Sequence, residues 1–260
     1  MAQGTAEMEW LDRHHMRIGD TEFVLQHSRE DWADSESTSS QFILAKTRNM
    51  IERHVAHAPS QVQNVVDLGI FRGGSVALLQ TLFSPSRLVA VDLDTERVAA
   101  LDEFVIDHSL EDVVHLHYGT DQADRPRLLE ILEEEFGDEP LDLVIDDCSH
   151  LYGPTRVSLN VLLPRLRPGG AYLIEDWRNQ PPGDTPLFKL IEELVTVAAA
   201  GRGLIREIHV QGATVYLIRG DSEITDPAFD LRDAYPPQMN HDAGQRRPSL
   251  TRRLRSLWAD

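Results

Sequence analysis

The sequence predicts an α/β domain built on a doubly wound, mostly parallel seven-stranded sheet that ends in an antiparallel hairpin. Three observations carry that prediction. Five strand-length apolar runs, at 64–68, 88–92, 113–117, 141–146 and 170–175, are separated by longer segments. Those segments have the dozen or more residues that a crossover between parallel strands needs. The first run is followed by Gly69-Ile70-Phe71-Arg72-Gly73-Gly74-Ser75, the pattern of a strand turning sharply into a helix. Late in the chain two alternating runs, 204–210 and 213–219, are split by Gln211-Gly212, a hairpin signal.

Taken in order, residues 1–40 read as an N-terminal arm or lid, with Trp10, Phe23 and Trp32 scattered among charges. The arm closes in a Ser/Thr-rich stretch at 35–40 suited to capping a helix. That helix is expected from Gln41 to His57, where Phe42, Ile43, Met50, Ile51 and Val55 recur at roughly helical spacing until Ala58-Pro59 stops it. Helices near 74–83, 95–107, 126–136 and 155–166 supply the crossovers and cover both faces of the sheet, and another near 187–199 leads into the hairpin. The main domain thus spans 41–220. Residues 221–260 form an extension whose end is basic, with Arg246, Arg247, Arg252, Arg253 and Arg255 around Leu250, Leu254 and Leu257, and read as a frayed amphipathic terminus.

At 260 residues the chain has room for one substantial core. Its 43 acids against 25 Lys and Arg give a formal charge of −18, which argues against nucleic acid as a partner because phosphate binding depends on cationic side chains. Cys148 is the single cysteine, so an intramolecular disulfide or a Cys-rich metal site is excluded. No apolar run approaches the length of a membrane span. A soluble, cytoplasmic protein is expected, forming a homo-oligomer, dimer or higher.

Chemistry concentrates at the ends of the strand runs, where open α/β sheets bind ligands. Val66-Asp67-Leu68-Gly69 runs into the glycine turn, which lets backbone approach a nucleotide-like cofactor. Its spacing is Gly-x-x-x-Gly-Gly, not the Gly-x-Gly-x-x-Gly of a dinucleotide cradle. Asp92, 23 positions beyond Gly69, ends the next run, suitably placed to accept from ribose hydroxyls. Asp121 follows the third run and could receive an adenine amine. The fourth run ends in Asp146-Asp147-Cys148-Ser149-His150 and the fifth in Glu175-Asp176. Carboxylates gathered so closely call for a cation between them, and His150 has the side chain suited to taking a proton near neutrality. Plainer roles stand beside these: helix capping for Asp92, Asp146 and Asp147, and a half-buried structural imidazole for His150. His115 and His117 share a strand face and read as structural. Trp177 and Tyr152 either wall an acceptor pocket or pack in the core.

The Asp-Asp-x-Ser-His and Ile-Glu-Asp motifs, with the glycine turn, resemble the class I S-adenosylmethionine-dependent methyltransferases over roughly residues 60–180. Within that class they look like the macrocin and mycinamicin type of magnesium-dependent sugar O-methyltransferases. The resemblance implies a Rossmann-like methyltransferase fold, S-adenosylmethionine and Mg²⁺ as cofactors, and a sugar or glycoside acceptor. It implies Asp147, Glu175 and Asp176 as metal ligands and His150 as general base. Cys148 stands where that family commonly has glycine. The cofactor would lie against Asp67, Gly69, Phe71, Gly73, Ser75, Asp92, Asp121 and Asp146. The expected activity is O-methylation of a sugar hydroxyl in polysaccharide or natural-product biosynthesis. A catechol-type methyltransferase of small phenols is the main rival. A nicotinamide-dependent oxidoreductase is disfavoured by the glycine spacing, and a non-catalytic methyltransferase-like subunit by the intact Asp/Glu/His set.

Overall fold

The structure, a computed structural model, describes residues 6–26, 36–178, 182–226 and 228–236. Seven strands form the main sheet: β5 (Asn64–Leu68), β6 (Arg87–Asp92), β7 (Val114–Tyr118), β8 (Leu141–Asp146), β9 (Leu166–Ile174), β10 (Ile205–Gln211) and β11 (Thr214–Arg219). They lie in the order β10-β11-β9-β8-β5-β6-β7, with β11 antiparallel to both of its neighbours and the other pairs parallel. This is the predicted fold class. From β5 the chain builds outward through β6 and β7, then crosses back to start the other half at β8. The crevice beyond the carboxyl ends of β5 and β8 is therefore the topological switch point, where such sheets take ligands.

Strands β5 and β8 are buried at every position, which is why they read as unbroken apolar runs. Successive side chains alternate between two cores. Val66, Leu68, Val89 and Val144 pack with α4 (Arg125–Phe136), α5 (Tyr152–Leu162) and α6 (Phe188–Ala199). Val65, Leu88, Ala90 and Ile145 pack with α1 (Arg48–His57), α2 (Gly74–Phe83) and α3 (Ala99–Asp107).

The N-terminal region departs from expectation. Strands β1 (Glu9–Trp10), β2 (His15–Ile18), β3 (Thr21–Leu25) and β4 (Gln41–Leu44) form a second sheet that straddles position 40, with β4 parallel to β3. Met16, Phe23, Phe42 and Leu44 bury themselves in the same core as Leu82 and Phe104. The helix expected from Gln41 begins instead at Arg48, capped by Thr47, whose hydroxyl accepts from Met50 N at 3.3 Å. The Ser/Thr stretch at 35–40 does not cap it. Phe42 and Ile43 follow a strand pattern, and pairing with β3 decides their conformation. Trp32 and the arginines from 246 onward lie outside the described residues.

Candidate active site

A cavity of about 630 Å³ opens at the switch point, within the size range of small-molecule sites. Gly69, Phe71, Ser75, Asp92, Asp121, Asp147, His150, Glu175 and Asp176 all line it, so most of the expected site residues converge. The glycine turn is held by Asp92, whose Oδ2 accepts from Ile70 N at 2.8 Å and Phe71 N at 2.9 Å. Its Oδ1 accepts from Asp94 N at 2.9 Å. Asp92 thus fixes the turn as well as facing the cavity. Gly69 sits at φ 106°, and a Cβ there would stand 2.5 Å from the Asp147 carbonyl oxygen, so only glycine leaves this approach open. Asp121 receives Ala123 N at 2.8 Å in a local turn and keeps its place on the cavity wall.

Asp67, Gly73 and Asp146, expected to touch the cofactor, are not on the wall. Gly73 caps α2. Asp67 is fully buried beneath the turn, accepting from Ser75 Oγ at 2.7 Å through Oδ2, while Oδ1 has no partner. Burial pushes its carboxyl up to about 7. Asp146 is buried too, accepting from Gln122 Nε2 (2.9 Å), Ser158 Oγ (2.9 Å) and the Tyr172 hydroxyl (2.8 Å). Gln122 in turn receives Ser149 N at 3.0 Å and lines the cavity, so Asp146 shapes the site from below.

On the same wall, beside the glycine turn, His150 Nε2 lies 2.9 Å from Asp147 Oδ1. Burial alone would raise the Asp147 carboxyl, but Lys46 beside it and the hydrogen bonds from His150 and Lys46 hold it well below the usual carboxylate range. A carboxylate only accepts, so Nε2 carries the proton of this bond. Burial lowers the affinity of His150 for a second proton, yet the bond and charge of Asp147 outweigh it and raise the imidazole above its ordinary value. Ligand atoms of Asp147, His150 and Asp176 lie within 4.8 Å of one another. The oxygen donors of Asp147 and Asp176 fit a hard divalent ion in chemistry and spacing, with the His150 imidazole beside them.

Glu175, expected as a metal ligand, is not in that group. It is 2 % exposed, and both its oxygens lie 2.7 Å from Lys46 Nζ, while His54 Nε2 is 2.7 Å from Oε1. Burial and Asp147 push its carboxyl up, and Lys46 and His54 pull it down below its ordinary value. Lys46 and His54 were not foreseen as site residues. The signal for Lys46 was a lysine directly closing the apolar run Phe42-Ile43-Leu44-Ala45. His115 and His117 both bond Glu135, the structural role expected. Tyr152 donates to Glu193 at 2.6 Å and Trp177 to the Gly212 carbonyl at 3.2 Å; both pack against the core and neither lines the cavity.

Five non-glycine residues among those described adopt positive φ, and Phe71 (49°), His150 (55°) and Asp176 (49°) line this one cavity. Such costly conformations gather at functional sites.

Residues 66–177 match the family described as "Methyltransferase domain". The matched segment is a little under half of the chain. It contains the whole glycine turn and both acidic motifs. A tetracenomycin-type 3'-O-methyltransferase of Streptomyces olivaceus, acting on 8-demethyl-8-(2-methoxy-alpha-L-rhamnosyl)-tetracenomycin-C, is 33% identical over 143 residues, 52% of this chain and 33% of that protein. Mycinamicin VI 2''-O-methyltransferase of Micromonospora griseorubida is 29% identical over 142 residues, 51% of this chain and 32% of that protein. The chain spans about a third of the length of these relatives. The MycE methyltransferase from the mycinamycin biosynthetic pathway, solved with Mg and SAH, superposes with a TM-score of 0.51 at 23% identity over 66% of this chain and 49% of its own. The superposed part of the chain therefore shares its fold with that enzyme. No helix among the described residues is long and apolar enough to cross a membrane.

Proposed function

We propose that the protein transfers a methyl group from S-adenosylmethionine to a sugar hydroxyl of a glycoside, with a divalent ion, Mg²⁺ foremost, held by Asp147 and Asp176. The observation that carries this reading is the Asp147–His150 pair at 2.9 Å, on the wall of the same cavity as the glycine turn. The turn and Asp92 receive the nucleoside, with Asp121 toward the adenine amine.

A sugar hydroxyl is a poor nucleophile at neutral pH. A divalent ion bound at Asp147 and Asp176 supplies Lewis-acid activation of that hydroxyl. With Nε2 fixed toward Asp147, His150 takes the hydroxyl proton at Nδ1, and the Asp147 carboxylate stabilises the imidazolium that results. The methyl moves from sulfur to oxygen in one displacement, the sulfonium leaving as the neutral thioether. Named activities of the similar proteins, all O-methylations of glycosides, favour a sugar acceptor over a phenol. Incubation with labelled S-adenosylmethionine and a panel of deoxysugar glycosides should give an O-methyl product. EDTA should stop its formation and Mg²⁺ restore it; transfer to catechols alone would replace this reading with the phenol one.

A further inference from the structure

The cation at the base of the cavity belongs to the chain. Lys46 Nζ is 2.8 Å from Asp147 Oδ2 and 2.7 Å from each oxygen of Glu175. An ammonium has three protons, and three carboxylate oxygens meet them here. The pairing is closed to solvent, with Lys46 4 % and Glu175 2 % exposed. Lys46 reaches this position from the segment between β4 and α1, and His54 of α1 braces Glu175 from the same side. A hard divalent ion would use these same oxygens. It cannot share them with an ammonium already in hydrogen-bond contact, because the two cations would be held against each other in a buried place where charges are poorly screened.

We propose that Lys46 is the resident cation of the acidic cluster, a positioning residue that fixes Asp147 and Glu175 and keeps divalent ions off the inner carboxylate pair. Ion binding is confined to the outer pair, Asp147 and Asp176, and is weakened by the nearby positive charge. Asp147 is consequently shared: Oδ2 serves Lys46 and Oδ1 orients His150. The inference rests on reading the cluster as the cation site of the proposed reaction.

Mn²⁺ is the probe, titrated into the full-length protein while the free-ion signal is followed by electron paramagnetic resonance. Lys46→Met should bind Mn²⁺ at least tenfold more tightly than wild type. Removing the ammonium leaves the buried Glu175 carboxylate facing Asp147 without its counter-charge, a change that is strongly destabilising, so a second variant accompanies it. Lys46→Met/Glu175→Gln restores the formal charge of the cluster and frees Asp147 Oδ2, and it should retain a gain of severalfold over wild type. S-adenosylhomocysteine binding measured in parallel reports an intact cofactor end. Mn²⁺ affinities within twofold of wild type in the folded variants, or weaker ones, overturn the role given to Lys46 and leave the cation site standing. No Mn²⁺ bound by any of the three proteins overturns both the inference and the cation site it rests on.

Discussion

Asp67→Asn is expected to stabilise the protein, and to do so more strongly as pH rises. The Asp67 carboxyl is fully buried, with one oxygen bonded to Ser75 and the other without a partner, and burial lifts its pKa from 3.8 to about 7. The sign follows from proton counts. Below about pH 4 both the folded and unfolded chains carry the proton, so the group contributes nothing. Between 3.8 and about 7 the folded protein retains a proton that the unfolded chain has lost, and stability falls as pH rises. Above about 7 the full cost of a buried charge is present, roughly 4 kcal/mol at about 1.4 kcal/mol per tenfold change in equilibrium constant. Asparagine keeps the shape and can still accept from Ser75 without ever ionising. Urea unfolding of both proteins at pH 5 and pH 8 should show the variant's advantage growing by about 2 to 3 kcal/mol across that interval. Other titrations occur in both proteins and cancel in the difference. An advantage that is flat with pH would mean that Asp67 ionises in the folded state as readily as in the unfolded chain.

His150→Ala should lower the turnover rate by roughly 10² to 10⁴, the span of a lost general base, while leaving S-adenosylhomocysteine affinity within a few-fold by calorimetry. The wild-type rate should rise with pH through a limb lying above the ordinary histidine range, and Asp147→Asn should move that limb downward, because Asp147 is what raises the imidazole. Asp92→Ala should weaken S-adenosylhomocysteine binding at least tenfold in the same calorimeter; since it also frees Ile70 N and Phe71 N, amide exchange at those two positions should speed up. Gly69→Ala should cost about 2 kcal/mol or more in a denaturant titration, from an alanine at φ 106° whose Cβ meets the Asp147 carbonyl oxygen.

Strands β5, β6 and β8 were legible because burial on both faces writes itself as an unbroken apolar run, and β11 from the hairpin signal at Gln211-Gly212. The helix start at Gly74 was legible from the glycine turn, and the helix near 126–136 from the length of the crossover between strand runs. The misplaced start of α1 has a different origin. Whether Phe42 and Ile43 extend or coil depends on β3, some twenty residues away and joined to them only by pairing, so local periodicity could not decide it. The acids at the strand ends were found from topology, and the structure sets the Lys46 ammonium against two of them. Which cation it is depends on a lysine 101 residues from Asp147 and 129 from Glu175, a separation at which one sequence carries no trace of contact. Asp146 and Asp147 look alike in the chain. One residue of strand alternation sends the first beneath the sheet, to Tyr172 and Ser158, and leaves the second at the cavity.

The segment that matches the methyltransferase family, 66–177, holds every acid of the cluster and the histidine beside it, whereas Lys46 and His54 lie upstream of it. Anions and counter-cation are thus carried on separable stretches of one polypeptide. Grafting a different upstream stretch onto the same sheet would change the electrical balance of the site without altering a single residue of the shared domain. A fragment cut at residue 60 would contain all seven strands of the main sheet but neither Lys46 nor His54, and would also lack the N-terminal side chains buried against Leu82 and Phe104. Ion preference in proteins built this way can drift through their leading segment while the acids and the histidine stay fixed in the segment that follows.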